Sequence, residues 1–220
     1  MLFKLFTLLL PWTLRRAVLR GWFKYDIHPT ARIGIAWIFP KKLSMGKGSK
    51  IDHLSVAVNL DNLVIGNGSS IGRSNWITGF PGGTNSPHFQ HQPQRSSELI
   101  LGDSSAITKQ HHIDCTNRIE IGAFSTVAGY QSQFLTHSID VANNRQDSKP
   151  IYIGAYTFIG TNCVILGGAS LPAHSVLGAK SLLNDHFEDE WKLYAGVPAK
   201  MIKEIKKEAK YFTRKEGFVF

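Results

Sequence analysis

A six-residue period runs through most of the 220-residue chain and constrains its fold more than any other feature. From Ile27 onward an aliphatic residue recurs every six positions, and a small residue, often glycine, usually follows it. A period of six matches neither the 3.6 residues of a helical turn nor the two-residue alternation of a simple strand. The longest unbroken run consists of Ile153, Ile159, Ile165, Leu171 and Leu177.

Such a period is typical of a solenoid in which each coil has three short strands, one on each side of a prism. The aliphatic side chain points to the axis, and the small residue behind it lets the chain turn the corner. Stacked coils pair their backbones and bury continuous aliphatic ladders. The pattern therefore predicts an all-β parallel solenoid of about seven coils over residues 27–193. Its other predicted axial residues are Ile27, Ile33, Met45, Ile51, Ile65, Ile71, Ile77, Leu101, Ile107, Ile113, Ile121 and Val127.

Two segments interrupt the period. Residues 79–98 are rich in glycine, proline and serine and contain no apolar repeat, and a second interruption covers approximately residues 132–150. Long loops inside a regular solenoid are more often functional than incidental. We therefore expect the functional site at these two interruptions.

The composition excludes several classes of protein. With 43% hydrophobic and 19% charged residues, the chain is neither intrinsically disordered nor a coiled coil. Its two cysteines cannot form a disulfide framework, so a reducing, cytoplasmic setting fits best. Cys115 and Cys163 are expected to be small buried residues of the coils rather than nucleophiles.

The positive charge is confined to the amino-terminal part of the chain. Residues 1–50 carry ten cations and one acid, which accounts for the whole net charge of +9, and the remainder is balanced. A basic nucleic-acid-binding body is thereby excluded.

The amino-terminal segment, residues 1–26, is predicted to be an apolar and basic amphipathic helix. Its uninterrupted apolar run is about half as long as a membrane span requires. In residues 13–24, Leu14, Val18 and Trp22 recur on one side while most of the arginines lie on the other. We expect residues 1–24 to bind an anionic membrane surface at the inner face of the cytoplasmic membrane. The alternative is a helix that packs on the body of the protein or on a neighbouring subunit.

The carboxyl-terminal segment, residues 194–220, begins with the run Tyr194-Ala-Gly-Val-Pro-Ala-Lys200. After it, the apolar residues Met201, Ile202, Ile205 and Ala209 are spaced as on one side of a helix. The spacing predicts a carboxyl-terminal helix.

The six-residue repeat, followed by Gly-Val-Pro-Ala-Lys at residues 196–200, resembles the hexapeptide-repeat acyltransferases over roughly residues 27–205. The pattern is most similar to the bacterial exopolysaccharide (colanic-acid type) and maltose/galactoside O-acetyltransferases. The resemblance implies a left-handed parallel β-helix, a homotrimer, acetyl-CoA as co-substrate and no metal ion.

His137 is the predicted catalytic residue. It lies in the second interruption in the sequence Thr136-His137-Ser138, the setting of the catalytic histidine in the family that the chain resembles. Imidazole titrates near neutral pH and can remove the proton of an attacking hydroxyl. The resemblance implies direct transfer without an acyl-enzyme. The alternative is a solvated loop histidine.

His112 and Asp114 flank the inward-pointing Ile113, so both are expected on the outer surface of the coil wall. They are candidates for binding the acceptor or orienting His137, and they could equally be ordinary surface residues. Asn75, just before the first interruption, is a weaker candidate for the same role.

The resemblance also implies a set of coenzyme-binding residues: an aromatic-Ile-Gly segment beside the pantetheine arm, a second glycine-containing corner, and lysines for the phosphates. The sequence departs from the family pattern at two places that bear on the phosphate contacts of the coenzyme. Lys180 replaces a glycine, and Asn184-Asp185 stands where relatives have Thr-Lys, so one usual phosphate-contacting cation is absent. The positions carried over are Phe158, Gly160, Thr161, Gly178, Ala179, Lys200 and Lys203.

These observations predict an acetyl-CoA-dependent O-acetyltransferase that acts on a sugar hydroxyl of a cell-envelope, exopolysaccharide or lipid-linked glycan. Three alternatives stay open. One is an acetyltransferase for antibiotics of the chloramphenicol or streptogramin type. Another is a γ-carbonic-anhydrase-like zinc enzyme, for which His112 and His137 could supply two of three ligands. The third is a non-catalytic scaffold.

Overall fold

The structure is a computed structural model that describes residues 2–217 and 219. Its body is a solenoid of seven coils, each with three short strands. The first, second and third strands of successive coils pair in parallel into three sheets, called here faces A, B and C. Faces A and C have seven strands each, and face B has nine because two further strands follow the last coil.

The coils are numbered from the amino terminus, and two helices precede them. The helices are α1 (Leu2–Leu9) and α2 (Trp12–Trp22). Coil 1 contains β1 (Asp26–Ile27), β2 (Arg32–Ile33) and β3 (Trp37–Phe39); coil 2 contains β4 (Lys42–Met45), β5 (Lys50–Ile51) and β6 (Val56–Val58); coil 3 contains β7 (Asn62–Ile65), β8 (Ser70–Ile71) and β9 (Trp76–Thr78); coil 4 contains β10 (Glu98–Leu101), β11 (Ala106–Ile107) and β12 (His112–Asp114).

Coil 5 contains β13 (Ile119–Ile121), β14 (Thr126–Val127) and β15 (Gln133–Leu135), and an antiparallel hairpin of β16 (His137–Asp140) and β17 (Arg145–Ser148) follows it; coil 6 contains β18 (Ile151–Ile153), β19 (Phe158–Ile159) and β20 (Val164–Leu166); coil 7 contains β21 (Ser170–Leu171), β22 (Val176–Leu177) and β23 (Leu182–Leu183); the chain ends with β24 (Lys192–Gly196), β25 (Ala199–Glu204) and a 3₁₀-helix at Lys210–Thr213.

The aliphatic ladders predicted from the period form the core of the solenoid. Every predicted axial residue is at most 5% exposed. The ladder also includes Phe134, whose neighbours in register are Ile113 in coil 4 and Ile165 in coil 6. Glycine at the corners is a packing requirement: a Cβ on Gly154 would lie 2.3 Å from the backbone nitrogen of Ala173 in the next coil. The predicted parallel solenoid is confirmed.

The two interruptions differ in form. Residues 79–97 form a loop without strands, which we call the 79–97 loop, and β10 begins at Glu98. The second interruption is narrower than expected because residues 133–135 form a regular strand. Phe134 completes the axial ladder of coil 5, and only then does the chain leave the wall as the hairpin of residues 137–148.

The amino-terminal segment is two helices rather than one, since the chain breaks between them at Leu10 and Pro11. The orientation expected for its arginines is wrong in part. Arg15 is buried and donates to the carbonyl oxygens of Gly34 (2.6 Å) and Ala36 (2.8 Å), and Arg16 donates to the carbonyl of Pro29. The reason is that the first coil has no coil below it, so its free carbonyl oxygens need donors.

The predicted carboxyl-terminal helix is wrong. Residues 199–204 form β25, which pairs antiparallel with β24 from Ala199 opposite Gly196 to Glu204 opposite Lys192. The only helical turn among the described residues beyond this strand is the 3₁₀-helix at Lys210–Thr213. Strand β24 offers an open edge, and pairing with it satisfies backbone groups that a helix here would not cover. Met201 and Ile202 are both more than half exposed, so burial of their side chains does not stabilise a helix here.

Candidate active site

His137 stands at the point where the chain leaves face C. The preceding residue, Thr136, is buried and anchors this exit: its hydroxyl donates to the carbonyl of Asp114 (2.8 Å) and accepts from the backbone N–H of Asn117 (2.9 Å). The backbone N–H of Lys149 donates to the carbonyl of Thr136 at 2.9 Å, which closes the base of the hairpin. The imidazole of His137 is therefore held on a rigid wall, and its side chain is 38% exposed.

Three side chains surround the imidazole of His137. Its Nδ1 lies 3.8 Å from Oδ2 of Asp114, and its Nε2 contacts Oε1 of Gln146 across the hairpin. The ring of Phe89, from the 79–97 loop, meets the imidazole edge to face with centroids 5.7 Å apart. An imidazole with a carboxylate at one nitrogen and a displaceable polar partner at the other has the arrangement of a general base.

Asp114 is positioned by its own coil. Its Oδ1 accepts the backbone N–H of Thr116 (2.9 Å) and the hydroxyl of Thr116 (2.7 Å), so Oδ2 is directed at His137. The predicted outward placement of His112 and Asp114 is confirmed, since both lie on the outer surface of β12 while Ile113 is buried. The structure brings Asp114 to His137 and places His112 beside the same cavity.

Two cavities meet at His137. The first, of about 490 Å³, lies between face C and the 79–97 loop, and we call it the loop cavity. The second, of about 400 Å³, lies between the hairpin and coil 6 and is lined by His137, Lys149, Leu166 and Gly167 among others. His137 thus lines two cavities that meet at its imidazole. The lining of the loop cavity includes Phe80, His88, Phe89, His112, Asp114 and His137.

Arg95 holds the 79–97 loop over the wall. Its guanidinium donates to the carbonyl oxygens of Phe80 and Thr116 and lies 4.4 Å from the centroid of the Phe89 ring. Burial lowers the pKa of Arg95, while the carboxylates of Asp61 and Asp114 act in the opposite direction. The half-buried guanidinium of Arg95 therefore helps to hold the loop and its two aromatic rings against face C.

Asp61 anchors both ends of the same loop. Its Oδ2 accepts the backbone N–H groups of Gly82 (2.7 Å) and Ser97 (3.0 Å), and its Oδ1 pairs with Lys41 at 2.7 Å. Burial acts to raise the pKa of Asp61, but the hydrogen bond from Gly82, the bond from Lys41 and that from Ser97 together hold it below its ordinary value.

The loop and the hairpin are joined by Gln92. Its amide donates to Oδ1 of Asp147 (2.8 Å) and to the carbonyl of Ser148 (2.9 Å), and its oxygen accepts the Ser148 hydroxyl at 2.7 Å. Asn117 adds a bond to the same hydroxyl at 3.1 Å. Two interruptions that are distant in sequence thus form one assembly around His137.

Asn75 does not reach the site. It is buried, and its amide donates to the carbonyl oxygens of Gly72 (2.9 Å) and Thr108 (2.8 Å) while accepting the backbone N–H of His111 at 2.9 Å. Asn75 is a corner residue that cross-links coils. His111 is buried as well, and burial lowers its pKa to about 4. Its Nδ1 accepts the backbone N–H of Ser132 at 3.1 Å, which the neutral imidazole alone can do.

The residues expected to bind the coenzyme lie elsewhere on the chain. Gly160, Thr161, Gly178 and Ala179 come together at the corner between faces B and C in coils 6 and 7, where the N–H of Lys180 donates to the carbonyl of Thr161 at 2.9 Å. A Cβ on Gly160 would lie 2.6 Å from the backbone nitrogen of Ala179, so coil packing itself demands this glycine.

Phe158 points outward on face B, next to Tyr211, with ring centroids 5.8 Å apart. Lys200 and Lys203 are exposed on β25, and Lys200 pairs with Ala195, which adjoins Gly178. These residues therefore border the same corner from the carboxyl-terminal side. In a single chain this corner and His137 lie at opposite edges of face C, since Thr161 precedes β20 and His137 follows β15.

The two cysteines are buried and free, as expected. Burial raises the pKa of Cys115 well above its ordinary value, with the charge of Asp114 adding to it, and burial also raises the pKa of Cys163. A thiol that resists ionisation is a poor nucleophile.

Four residues of the site escaped sequence reasoning: Phe89, Gln92, Arg95 and Gln146. All lie in the interruptions, where no period predicts which side chains point to the wall. Arg95 is the single cation of residues 79–97, and that isolation in an apolar and polar loop is the one signal that could have marked it.

Neither protein-family models nor curated proteins give a sequence match. Solved structures do match. A hexapeptide-repeat acetyltransferase of Vibrio cholerae O1 biovar eltor, in complex with acetyl-CoA, aligns over 93% of this chain and 84% of its own, with a TM-score of 0.52 and 20% identity.

Two further solved structures have the same architecture. A mutant of an N-acyltransferase of Bacillus cereus, in complex with dTDP-4-amino-4,6-dideoxyglucose and coenzyme A, covers 88% of this chain and 90% of its own, at a TM-score of 0.51 and 16% identity. A hexapeptide transferase family protein of Anaplasma phagocytophilum covers 84% and 81%, at 0.50 and 17% identity. The chain has the hexapeptide-repeat fold. The predicted left-handed parallel β-helix is thereby confirmed, and at these identities the likeness establishes the fold alone.

Over residues 2–217 and 219, no three His, Cys, Asp or Glu side chains are grouped so as to hold a metal ion. Within the same residues, no helix has both the length and the hydropathy needed to cross a bilayer.

Proposed function

We propose that this protein transfers the acetyl group of acetyl-CoA to a sugar hydroxyl, with His137 as the general base. The observation that carries the proposal is the pairing of His137 with Asp114 at the junction of two cavities. The hexapeptide-repeat fold supports it, since a neighbour of the same fold is an acetyltransferase in complex with acetyl-CoA.

The site suits one proton transfer coupled to one acyl transfer. His137 removes the hydroxyl proton as the hydroxyl oxygen attacks the thioester carbonyl that acetyl-CoA supplies. A C–O bond forms and the C–S bond breaks, and the imidazolium of His137 returns the proton to the departing sulfur. The carboxylate of Asp114, 3.8 Å from Nδ1, stabilises the charged imidazole during this step.

The loop cavity is the proposed acceptor site. Its aromatic rings Phe80 and Phe89 suit the apolar face of a sugar, while His112 and Asp114 offer polar groups. The proposed acceptor is a glycan of the cell envelope or an exopolysaccharide, in free or lipid-linked form. The Bacillus cereus neighbour was solved with a nucleotide-linked amino sugar, so amino sugars belong in any panel of acceptors.

A homotrimer is the proposed assembly. The outward side chains of face A include Lys42, Glu98 and Glu120, whereas those of face C are largely apolar. Packing the corner of one protomer against face C of the next would bring the proposed coenzyme residues to the partner's cavity beside its His137. Sedimentation equilibrium of the full chain tests this assembly. The apolar outward residues of face C include Val56, Val58, Trp76, Leu135, Val164, Leu166 and Leu182.

The amino-terminal helices are proposed to hold the protein at the inner surface of the cytoplasmic membrane. The cations of the first 50 residues favour anionic headgroups, although Arg15 and Arg16 are engaged by coil 1. Removal of residues 1–11 tests the binding, because it deletes α1 and leaves the contacts of α2 with the coil.

The test of the activity is release of free thiol from acetyl-CoA by the purified protein with a panel of glycan acceptors, followed by mass spectrometry of the product. We expect an acetyl ester on the sugar and a higher melting temperature in the presence of acetyl-CoA. No thiol release with any acceptor and no thermal shift at millimolar acetyl-CoA would contradict the proposal.

A further inference from the structure

Helix α2 takes the place of a coil beneath coil 1. In coil 2 the carbonyl of Ser49 accepts the backbone N–H of Arg32 from the coil below, at 3.0 Å. The equivalent residue of coil 1 in the strand register is Ala31, and its carbonyl accepts Nε1 of Trp12 at 3.1 Å. With Arg15 donating to two further carbonyls of coil 1, α2 lies across the axial end of the solenoid.

The two helices expose several large apolar side chains to solvent. Arg15 and Leu19 are buried on the inner side, while Leu9 is 83% and Trp22 is 72% exposed. The rings of Phe3 and Trp22 meet at 5.1 Å, so the two helices form one continuous surface. We call it the basal surface, and it consists of Phe3, Leu5, Phe6, Leu9, Leu14 and Trp22.

The charge around the basal surface selects a lipid bilayer over a second copy of the chain. Arg20 and Lys24 are exposed beside it, whereas the ammonium of Lys4 lies over the ring of Phe39 in coil 1, 4.9 Å from the ring centroid. Residues 1–24 carry five cations and no acid, so two basal surfaces placed together would bring like charges into contact. Anionic headgroups instead neutralise these cations while the apolar side chains enter the interface.

The position of the basal surface sets the height of the active site. Coils stack at about 4.8 Å, so His137, which leaves coil 5, lies roughly 19 Å above coil 1. The helix layer adds about 10 Å. Building on the function proposed above, we infer that the protein stands on an anionic membrane by its basal surface, with the solenoid axis along the membrane normal. Its acceptor is a sugar of a membrane-linked glycan held roughly 30 Å from the lipid, and not the sugar nearest the lipid phosphate.

The two native cysteines provide a clean background for testing the orientation. Both are buried, so a cysteine introduced at an exposed position can be labelled alone. The positions are Leu14 on the basal surface, Leu54 in coil 2 and Val197 beyond coil 7, all exposed. Each full-length variant, Leu14→Cys, Leu54→Cys or Val197→Cys, is labelled with an environment-sensitive fluorophore and mixed with vesicles of phosphatidylglycerol and phosphatidylcholine.

We expect the Leu14 label to shift to the blue and to be quenched by brominated lipids. Energy transfer to a headgroup-labelled lipid should then fall in the order Leu14, Leu54, Val197. Equal transfer from Leu54 and Val197 would show a solenoid lying on its side and would overturn the orientation. The paired variant Phe6→Ser with Leu9→Ser should abolish vesicle binding, whereas the matched pair Ile139→Ser with Val141→Ser, equally exposed on the hairpin, should leave it unchanged.

A second arm tests the height and separates this inference from the proposed function. Once the soluble assay has identified a sugar acceptor, that sugar is presented on a lipid carrier with oligosaccharide spacers of increasing length in the same vesicles. We expect acetylation only beyond a minimum spacer length. Acetylation of the shortest lipid-linked sugar as fast as the longest would overturn the inferred acceptor, while turnover of the soluble sugar would leave the proposed function standing.

Discussion

The hairpin of residues 137–148 and the coils that follow it are neighbours in the chain, yet different forces hold them. In coils 6 and 7 the side chains of Ile159, Ile165 and Leu171 are at most 1% exposed, and each of their strands pairs with a strand of a neighbouring coil. On the hairpin, Ile139 is 58% and Val141 is 86% exposed. Polar contacts such as that of Arg145 with Asp140, at 3.3 Å, hold the hairpin instead.

The comparison indicates that the coils, called here the wall, determine the stability of the protein, whereas the hairpin carries side chains of the proposed active site. The wall derives its free energy of folding from buried aliphatic ladders, which tolerate no polar or titratable group at the axis. The hairpin buries little apolar surface, so it can carry His137, Gln146 and Asp147 at little cost in folding free energy. Variants of the wall should therefore change the free energy of unfolding, and variants of the interruptions should change turnover.

The largest effect is expected for His137→Ala. Loss of a general base lowers the rate by about 10² to 10⁴-fold. The melting temperature should stay unchanged, because the side chain is partly exposed and buries little. The matched control is His186→Ala, an exposed histidine after coil 7 whose Nε2 lies 3.5 Å from Oε1 of Glu188. Thiol release by both variants is compared; equal rates would show that His137 is not the base.

The second-largest effect is expected on the free energy of unfolding, from a variant of the buried ladder. Ile165→Ala removes a fully buried side chain between Phe134 and Leu183, and it should lower the free energy of unfolding by about 2–5 kcal/mol. Ile100→Ala, at an isoleucine that points outward on face A, should lower the free energy of unfolding far less. Denaturant unfolding of the two variants makes the comparison. A similar loss in both would mean that the axial ladder does not dominate stability.

A smaller effect is expected on the pH dependence of stability, from variants of His111. Its pKa is about 4 in the folded protein and near 6.5 when unfolded, so the unfolded chain takes up the proton first as the pH falls. Stability from this group is fully present above pH about 6.5 and is lost towards pH about 4, by up to about 3 kcal/mol. The His111→Gln variant should lose this part of the pH dependence, whereas His112→Gln, its exposed neighbour, should keep it. Identical pH profiles in the two variants would contradict the assignment.

The smallest effect is expected on the pH profile of kcat/KM, from a variant of Gln146. Gln146→Glu would place a carboxylate against Nε2 of His137 and favour the protonated imidazole, which is inactive as a base. The acidic limb of kcat/KM should move to higher pH by roughly one unit. Asn144→Asp adds the same charge to the same hairpin, at its turn, and should leave the profile in place. Overlapping profiles for wild type and Gln146→Glu would show that this contact is absent during turnover.

The period predicts the wall closely because one physical rule repeats in every coil: an aliphatic residue at the axis and a small residue at the corner. It also marks where the rule stops, and His137 stands out there by its family-like context. The side chains that complete the site obey no such rule. Gln92 meets Ser148, 56 residues away, and no local pattern encodes that distance.

The two errors at the ends of the chain have a common cause. The spacing of Met201, Ile202 and Ile205 fits a helix, and the arginines of α2 suggest a surface for headgroups. A solenoid, however, has unpaired backbone groups at both ends. Strand β25 pairs with the open edge of β24, and Arg15 donates to the free carbonyls of coil 1. At both ends, the need to pair free backbone N–H and C=O groups outweighs the local preference that the side-chain spacing indicates.

The most direct test of the separation between wall and site is to remove the hairpin from the intact chain. Residues 139–146 are replaced by a short glycine-serine turn that joins Ser138 to Asp147, and thermal unfolding and thiol release are measured on the same preparation. We expect a cooperative transition at a melting temperature close to that of the wild type, His137 still in place, and acetyl transfer strongly reduced. Unfolding of the shortened chain, or transfer at the wild-type rate, would contradict the account.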